Sequence, residues 1–368
     1  MGLMSGTSMD GIDVAIVRTD GKKMVEPVAF HFTPYAKEVK QAIRECLNPN
    51  LDDKIMQVRV KGLEAALTQA HFYAASNALT EIGMDYKEID VVGFHGHTLM
   101  HAPAQKETLQ VGDGEKLAAL LGIDVVNDFR TADVNASGQG APLVPVYHRA
   151  LAVDLPKPCV FLNIGGIANV TWVSKDGNRL VAFDTGPGNA LLDDWVSENS
   201  VQNFDTDGEL AATGDVKPDL LDIYYINPYF NQKPPKSLDR SDFGLEPVKN
   251  EILEDGAATL TALTVETIVK AKSYFPEEPK LWVVSGGGRK NKTILKGLKE
   301  KLGVDVQPID KYGWNGDAVE AEAFAYLAVR NLLQKPISFP TTTGVKEPMV
   351  GGVLHRASVK KVTAEGAE

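Results

Sequence analysis

Three glycine-rich turns are the first places where this chain could do chemistry. The first, Ser5-Gly6-Thr7-Ser8-Met9-Asp10-Gly11-Ile12-Asp13, joins two strand-like runs, and its small residues let backbone N–H groups approach an anion without obstruction by a Cβ. Residues 183–190 and 283–291 each lead from a strand through glycines towards a helix, whose N-terminal amides favour an anion. The first turn has neither the P-loop nor the dinucleotide-binding pattern. The turns predict a phosphate-bearing ligand. For the first turn, a tight hairpin that binds no ligand is an equally good interpretation.

Asp184 and Arg130 are the side chains best suited to act on such a ligand. Asp184 follows a predicted strand and precedes a helix N-terminus, where a carboxylate serves as metal ligand or general base, or caps the turn. Arg130 follows a strand that should end near the site, and its guanidinium could hold a carboxylate with two hydrogen bonds; an isolated Arg is more often a surface residue. The successive glycines 286–288 would admit a flat ligand such as adenine, or form a flexible loop.

Histidines supply a rival chemistry. His95, His97 and His101 form an H-x-H-x-x-x-H array after a predicted strand, and an H-x-H pair can bind a metal ion. This pattern would suit a metal-dependent hydrolase that uses His95 and His97, although a polar lining of a sugar site or a satisfied turn explains it better. No G-x-S-x-G motif occurs, so nothing in the sequence indicates a serine nucleophile.

The elements that must position these residues recur in the two halves of the chain. Hydrophobic periodicity gives the first half the order β-β-β-α-β-α-β, over residues 2–4, 12–17, 28–32, 37–46 with 55–82, 89–94, 115–121 and 124–127. The second half repeats this order, over residues 159–164, 168–173, 180–183, a helix from about 189, then 256–271, 281–285, a helix after 292, 304–306 and 317–333. The halves therefore look like an internal duplication.

We predict two domains from this duplication. The first spans 1–140, with the tail 353–368 packing back on it, and the second spans 141–352 with an insertion near 227–242. Two such domains facing each other would leave a cleft, to which each presents its glycine turn.

Composition excludes several classes of partner. The 368 residues carry a net charge of −11, which repels nucleic-acid phosphates and anionic lipid surfaces. Apolar runs fall short of the ~20 residues that a membrane helix needs, no signal-peptide pattern is visible, and two cysteines cannot form a disulfide framework. We therefore expect a cytoplasmic protein that binds neither nucleic acid nor a membrane surface.

The motif 2–13 closely resembles the opening motif of the anhydro-N-acetylmuramic acid kinase family. Residues 183–190, 127–130 with 138–145, and 284–288 also match that family in order and spacing, so the resemblance covers essentially the whole chain. It implies an α/β fold of two duplicated ribonuclease-H-like domains with a cleft between them, as in the superfamily of sugar kinases, heat-shock ATPases and actin. The half-chain repeat points independently to the same fold.

The resemblance also implies an activity. Family members use ATP, with Mg²⁺, to open 1,6-anhydro-N-acetylmuramic acid hydrolytically and phosphorylate its O6, giving N-acetylmuramic acid 6-phosphate and ADP in cell-wall recycling. Asp184 matches the catalytic base, and a homodimer is expected. The residues that the resemblance assigns to ATP are Gly6, Thr7, Ser8, Met9, Asp10, Gly11, Ile12, Asp13, Gly165, Gly166, Gly186, Gly188, Asn189, Gly286, Gly287 and Gly288. Those assigned to the sugar are His97, Asn127, Arg130 and Gln139, where the family usually has Gln at position 97.

A second alternative is an actin-like or heat-shock-type ATPase. Such a protein shares the nucleotide cleft but uses hydrolysis to drive partner or filament cycling. Dependence of ADP release on the anhydro-sugar separates this reading from the kinase, and a metal assay separates both from the hydrolase.

Overall fold

The computed structural model of the chain describes residues 1–6, 9–47 and 53–357. They form two compact units, one made of Met1–Ala132, Glu320–Pro336 and the chain from Val350, the other of Asp133–Val319 and Ile337–Met349. This division differs from the domains predicted from sequence mainly at Glu320–Pro336, which belongs to the first unit. A helix far along the chain therefore completes the unit that the first residues begin.

The strands build one sheet in each unit. In chain order they are β1 (Gly2–Ser5), β2 (Gly11–Thr19), β3 (Val25–Pro34), β4 (Val92–Ala102), β5 (Glu107–Val111), β6 (Val125–Asn127), β7 (Cys159–Ile164), β8 (Ile167–Val173), β9 (Leu180–Pro187), β10 (Leu281–Ser285), β11 (Asp305–Pro308) and β12 (Val353–His355). Hydrogen-bonded neighbours run β12-β6-β4-β1-β2-β3 in the first sheet, with β5 beside β4, and β11-β10-β7-β8-β9 in the second.

Both sheets share one topology. When β5 and β12 are left aside and the five remaining strands of each unit are numbered along the chain, their order across the sheet is 3-2-1-4-5 in both units. In each sheet the first strand is antiparallel to the second and parallel to the fourth: β1 with β2 and β4, and β7 with β8 and β10. This is the ribonuclease-H-like α/β arrangement, and its presence in both units confirms the predicted duplication and fold class.

Helices cover the sheets. They are α1 (Lys37–Cys46), α2 (Asp53–Ile82), α3 (Gly114–Leu121), α4 (Thr131–Asn135), α5 (Pro145–Leu151), α6 (Ala190–Asn199), α7 (Pro218–Tyr225), α8 (Leu253–Lys270), α9 (Lys292–Leu302) and α10 (Val319–Leu332). Local sequence sets several of their ends. Asn291, for example, caps α9 by accepting the N–H of Ile294, and Gly303 ends it in the left-handed conformation. Among the residues described, no helix combines the length and apolar character needed to cross a membrane.

The strands and helices predicted from hydrophobic periodicity are all present. Their ends are shifted by up to four residues, except that β4 runs eight residues beyond the predicted end at 94. The short elements β5, β12, α4, α5 and α7 were not predicted, because segments of three to eight residues carry little periodic signal. The predicted insertion 227–242 lies outside the regular strands and longer helices, in short 3₁₀ turns that begin at Pro228 and Arg240.

Each sheet packs one face against long helices. In the first unit Leu3 and Phe94 of the sheet share a core with Leu67 of α2 and Leu117 of α3, all essentially without solvent contact. In the second unit Leu162 shares a core with residues of α8 and α9 that include Ile268, Ile294 and Leu298. Burying one such side chain contributes about 1.5–3 kcal/mol.

The opposite face of the first sheet accepts α10 at two glycines. Gly2 and Gly93 are neighbours in the parallel pair β1–β4, and each alternates with core residues that point to α2. A Cβ on Gly2 would lie 1.8 Å from the carbonyl oxygen of Ala321, and one on Gly93 would lie 2.0 Å from that of Phe324. The helix backbone therefore lies directly on the strands, which only glycine permits.

We predict that Gly93→Ala lowers the free energy of unfolding by about 1–3 kcal/mol or more, because its methyl group has no room against α10. Gly62→Ala is the matched control. Gly62 lies in α2 with open space around its Cβ, so alanine should raise stability there by roughly 0.5–1 kcal/mol. Urea unfolding of both variants gives the two values, and equal stabilities would contradict the packing of α10 on β4.

Candidate functional site

The glycine turns of the second unit meet at Asn189, directly before α6. Its backbone N–H donates to the carbonyl of Gly165 (2.7 Å), and its Nδ2 donates to the carbonyl of Ile164 (3.0 Å). Gly288 adjoins the same side chain, because a Cβ there would lie 3.1 Å from Asn189 Oδ1. Three distant stretches of sequence thus meet at the carboxyl ends of β7, β9 and β10, and they bring together Gly165, Gly166, Gly186, Gly188, Asn189, Gly286, Gly287 and Gly288. Carboxyl ends of strands are where open α/β sheets bind ligands.

Four of these glycines are required by packing inside the unit. A Cβ on Gly186 would lie 2.7 Å from the Thr267 hydroxyl, and one on Gly188 would lie 2.3 Å from the carbonyl oxygen of Gly165. Gly286 has φ +73° and would place its Cβ 2.4 Å from Asn163, and Gly288 would place its own 2.4 Å from Ile164. These positions need glycine whether or not a ligand binds.

The other three glycines, Gly165, Gly166 and Gly287, are not required by packing. The nearest atoms to a Cβ at these positions lie 3.6, 3.5 and 3.6 Å away, and none of the three has a left-handed φ. Neither packing nor backbone conformation explains glycine here. The three positions instead leave the backbone accessible from outside the unit, as close approach to a ligand requires.

Arg289 fixes the last of these turns. It is 6% exposed, and its Nη1 donates to the carbonyl of Gly286 (3.0 Å). The guanidinium also pairs with Asp310 (2.8 Å) and Asp317 (2.9 Å), and the hydrogen bond from Arg289 holds the pKa of Asp317 below its usual value. Two carboxylates compensate the burial of one guanidinium, so the turn is held rigidly. The sequence analysis did not single out Arg289, although an arginine directly after three glycines is a visible signal.

Asp184 lies inside β9, because the strand continues to Pro187, four residues beyond the predicted end at 183. The pairing register shifts beside it, because Ala168 and Asn169 of β8 pair with Gly186 and Asp184, which leaves Thr185 of β9 as the extra residue of a β-bulge. Bulges redirect the side chains next to them. The Asp184 side chain is nearly buried, at 9% exposure, and its Oδ2 accepts the N–H of Leu238 (2.8 Å). The carboxylate is therefore held in one orientation by a backbone amide.

The insertion also contacts the backbone of Asp184. Besides the Leu238 amide, the carbonyl of Lys236 accepts the backbone N–H of Asp184 (3.2 Å), and the Tyr229 hydroxyl donates to the Asp184 carbonyl. Burial and the charge of Asp184 hold the pKa of Tyr229 far above its usual value, so it remains a hydroxyl donor. Segment 229–238 therefore acts as a clamp on the residue.

Lys236 is the charged member of this clamp. Its side chain is 5% exposed, its Nζ donates to the Tyr229 carbonyl (3.2 Å), and it lies 4.2 Å from the centre of the Tyr229 ring. The rings of Tyr274 and Phe183 are 5.2 and 6.0 Å away. Burial lowers the pKa of Lys236 to about 8, Lys270 adds to the lowering and Asp184 opposes it.

Gln139 adjoins the same segment. Its Oε1 accepts the hydroxyl of Ser237 (2.8 Å), and its backbone N–H donates to the carbonyl of Thr343 (2.6 Å). Gln139, a predicted sugar-binding residue, therefore contacts the residue between Lys236 and Leu238.

Asp133 fastens the loop that carries Gln139. Its side chain is 2% exposed, its Oδ1 accepts the N–H of Gly140 (2.7 Å), and its Oδ2 accepts the hydroxyl of Thr343 (2.6 Å). Gly138 leaves room for this carboxylate, since a Cβ there would lie 2.1 Å from Asp133 Oδ1. The sequence analysis missed Asp133, because its partner is 210 residues away.

In the first unit, Ser5 links β1 to β4. Its hydroxyl is 2.8 Å from Nδ1 of His97 and accepts the hydroxyl of Tyr35 (2.7 Å). Burial lowers the pKa of His97 to about 4, so the imidazole is neutral near pH 7. His97 is 1% exposed, and its assignment to the sugar stays a prediction.

The first turn closes with a hydrogen bond from the N–H of Met9 to the carbonyl of Gly6 (3.1 Å). Gly11 is glycine because β3 lies against it, with the carbonyl oxygen of Thr33 only 2.2 Å from a Cβ built there. Ile12 points into the core, so only its backbone could contact a nucleotide. Four predicted ATP-binding residues of this turn remain. Asp10 is exposed and Asp13 is half-buried, whereas Thr7 and Ser8 lie outside the described residues.

His95 orients Arg130. The imidazole Nδ1 bonds to the carbonyl of Gly96 (2.9 Å), and Nε2 accepts from Nε (3.2 Å) and from Nη2 (3.0 Å) of Arg130. Burial and the charge of Arg130 hold the pKa of His95 well below its usual value, which keeps Nε2 an acceptor. Arg130 is thus held on a planar support at the end of β6.

Asn127 and the histidine array have structural partners. The Asn127 amide donates to the carbonyl of Gly112 (3.4 Å), and its Oδ1 lies 2.8 Å from Nε2 of His355 in β12. His101 Nδ1 bonds to the Thr108 hydroxyl (3.0 Å). Both ring nitrogens of His95 are engaged, and the described parts of the chain contain no group of three or more His, Cys, Asp or Glu that could hold a metal ion.

Comparison with known proteins assigns the chain to a family. Residues 1–357 match the family model described as anhydro-N-acetylmuramic acid kinase. The chain belongs to the anhydro-N-acetylmuramic acid kinase family. Proteins of that name from Rhizorhabdus wittichii and Zymomonas mobilis are each 47% identical, over 97% and 96% of this chain and 98% and 99% of their own lengths. The one from Paramagnetospirillum magneticum is 48% identical over 96% of this chain and 99% of its own.

Membership of the anhydro-N-acetylmuramic acid kinase family confirms the resemblance read from the glycine motifs and makes this chain a carbohydrate kinase. It does not favour the metal-dependent hydrolase or the actin-like ATPase. Among solved structures, component A of (R)-2-hydroxyglutaryl-CoA dehydratase from Acidaminococcus fermentans has a TM-score of 0.47 at 13% identity, over 90% of this chain and 98% of its own. The fold is established by the sheet order, to which a likeness at this level adds nothing.

Proposed function

We propose that this chain catalyses the ATP-dependent opening and phosphorylation of 1,6-anhydro-N-acetylmuramic acid to N-acetylmuramic acid 6-phosphate and ADP. The observation that carries the proposal is the match of residues 1–357 to the anhydro-N-acetylmuramic acid kinase model. The buried, backbone-held carboxylate of Asp184 supports it, because hydrolytic opening of the anhydro bridge needs a base.

Asp184 is the proposed general base. Its carboxylate takes a proton from water while the water oxygen attacks the anomeric carbon and the bond from that carbon to O6 breaks. The released O6 attacks the γ-phosphorus of ATP, and the bond from that phosphorus to the β-γ bridging oxygen breaks to leave ADP. The Leu238 amide, which bonds to Asp184 Oδ2, fixes the orientation in which the proton is accepted.

The glycine turns are the proposed ATP site. Gly165, Gly166 and Gly287 leave the backbone open beside the start of α6, where the helix dipole favours an anion. The motif 6–13 of the first unit is proposed to contact the ATP phosphates. Mg²⁺ would arrive as part of the substrate, bound to the ATP phosphates, and would neutralise their charge.

Arg130 is the proposed partner of the lactyl carboxylate of the sugar, since a guanidinium held by His95 presents a planar donor set to a carboxylate. Gln139, Asn127 and His97 are proposed sugar contacts. We also propose that the protein is cytoplasmic and forms a homodimer. Sedimentation of the purified protein would test the oligomeric state.

ADP release coupled to NADH oxidation, measured with and without the anhydro-sugar, tests the proposed function. Sugar-dependent ADP release together with formation of the 6-phosphate is expected. Equal ADP release with and without sugar would instead indicate an ATPase and would overturn the proposal.

We predict that Asp184→Asn lowers kcat by ~10²- to 10⁴-fold, because the amide keeps the shape but cannot take the proton. Its affinity for ATP and its melting temperature should change little, since the Asn side-chain oxygen can still accept the N–H of Leu238. Rate assays, calorimetry and thermal unfolding of the same preparation give the three values. A near-normal kcat in a folded variant would show that Asp184 serves only to hold the insertion.

Gly287→Val should weaken ATP binding by ~10- to 100-fold, the effect of about 1–3 kcal/mol of steric conflict, while leaving the fold intact. Gly244→Val is the matched control, because Gly244 also has open space around its Cβ but lies outside the three turns. Calorimetric titration with ATP compares the two. If both variants bind ATP like the wild type, the nucleotide does not approach Gly287.

Arg130→Ala should raise KM for the anhydro-sugar by ~10- to 100-fold, since a hydrogen bond to a charged group contributes about 1.5–3 kcal/mol. Arg18→Ala, which removes an exposed ion pair with Glu26, should leave KM unchanged. Steady-state kinetics with the sugar and with an analogue that lacks the lactyl carboxylate decide the point. An equal loss with both substrates would give Arg130 another role.

A further inference from the structure

Segment 229–238 builds a buried, charged support behind the proposed base. Asp184 receives a hydrogen bond at its side chain from Leu238, one at its carbonyl from Tyr229, and gives one from its N–H to the carbonyl of Lys236. All three partners belong to the insertion. Because β9 is the edge strand of its sheet, the insertion pairs the backbone N–H and C=O of Asp184 where no further strand of the described chain does.

Lys236 makes this support more than a set of backbone contacts. A buried ammonium is costly unless compensated, and here the compensation comes from the Tyr229 carbonyl and the faces of three aromatic rings, those of Tyr229, Tyr274 and Phe183. A methionine of the same length would pack among these rings without that cost. The charge therefore requires an explanation other than packing.

We propose that Lys236 is a positioning residue for Asp184. Lys236 holds segment 229–238 against Asp184 through Tyr229, and its positive charge favours the ionised form of the Asp184 carboxylate. The proposal rests on the assignment of Asp184 as the base in the proposed function. Tyr229 couples the two residues, because its ring and carbonyl bind the ammonium while its hydroxyl binds the Asp184 carbonyl.

The charged and titratable groups around Lys236 support an attraction between its ammonium and the Asp184 carboxylate. Lys270, on α8, repels the ammonium, and Asp184, on β9, attracts it. Tyr274 contributes its ring, and Asp242 acts on Tyr229 from the end of the insertion. The pKa of Lys236, lowered by burial to about 8, leaves it protonated at pH 7, and the attraction between Lys236 and Asp184 is reciprocal.

Lys236→Met tests the charge. It should lower kcat by ~10-fold or more, leave KM for ATP unchanged, and move the midpoint of the acid limb of the kcat/KM profile upward by about 1 pH unit, as loss of a nearby opposite charge does to a carboxylate base. Lys236→Arg, which keeps the charge, should keep the acid limb at its wild-type position. A Lys236→Met enzyme whose acid limb matches that of the wild type would overturn the proposal, even if its melting temperature fell.

Lys157→Met is the matched control. Lys157 also donates to backbone carbonyls, those of Ala152, Val153 and Leu155. It precedes the amino end of β7, whereas Asp184 pairs with Asn169 of β8 near the other end of the ladder. Removal of the Lys157 ammonium should lower stability without moving the pH profile. A shift of the acid limb equal to that of Lys236→Met would show a general effect of lost positive charge and would also overturn the proposal.

Tyr229→Phe tests the coupling and decides the matter if Lys236→Met does not fold. It keeps the ring beneath Lys236 and removes only the hydroxyl that binds the Asp184 carbonyl. We expect kcat to fall several-fold with KM for the sugar unchanged, and an unaltered kcat would overturn the proposal. If the wild-type enzyme shows no sugar-dependent ADP release, the proposed function itself is overturned. If the wild type is active but the variants keep its kcat and pH profile, only the role of Lys236 is overturned.

Discussion

The ladder between β8 and β9 is the interaction on which the proposed site of the second unit depends. It places Asp184 on a strand, and five residues later the same chain reaches Asn189, where the glycine turns meet. The bulge beside Asp184 fixes how β9 leaves the sheet, and the absence of a side chain at Gly186 lets β9 pack against Thr267 of α8. The proposed base and the proposed phosphate site therefore share one rigid support, and a shift in the ladder would displace both.

Glycine serves two purposes around that support. Gly188, Gly286 and Gly288 let three chain segments approach one another more closely than any Cβ allows, so they are constraints of folding. Gly165 and Gly287 meet no such neighbour and leave the backbone open. A cluster of glycines in a sequence thus mixes structural and ligand-related positions, and only the distance from each absent Cβ to its neighbours separates them.

Polar groups in both units are held by burial in defined protonation states. In the first unit burial keeps His95 and His97 neutral, so that they accept or donate fixed hydrogen bonds to Arg130 and Ser5. In the second unit Lys236 stays buried because aromatic faces and a carbonyl compensate its charge. Each arrangement stabilises one orientation of a neighbouring side chain, which is what a site must have before its ligand arrives.

The sequence by itself determined the duplicated strand order, the family and the three glycine turns, because periodicity and motif spacing are local properties of the chain. It also singled out Asp184 and Arg130 by their positions after strand-like runs. Only the tertiary structure decided that α10 completes the first unit through Gly2 and Gly93, and that Lys236 and Asp133 hold the residues around them. These contacts join residues far apart in sequence, and which of two distant side chains meet depends on sheet order and packing, which no local pattern encodes.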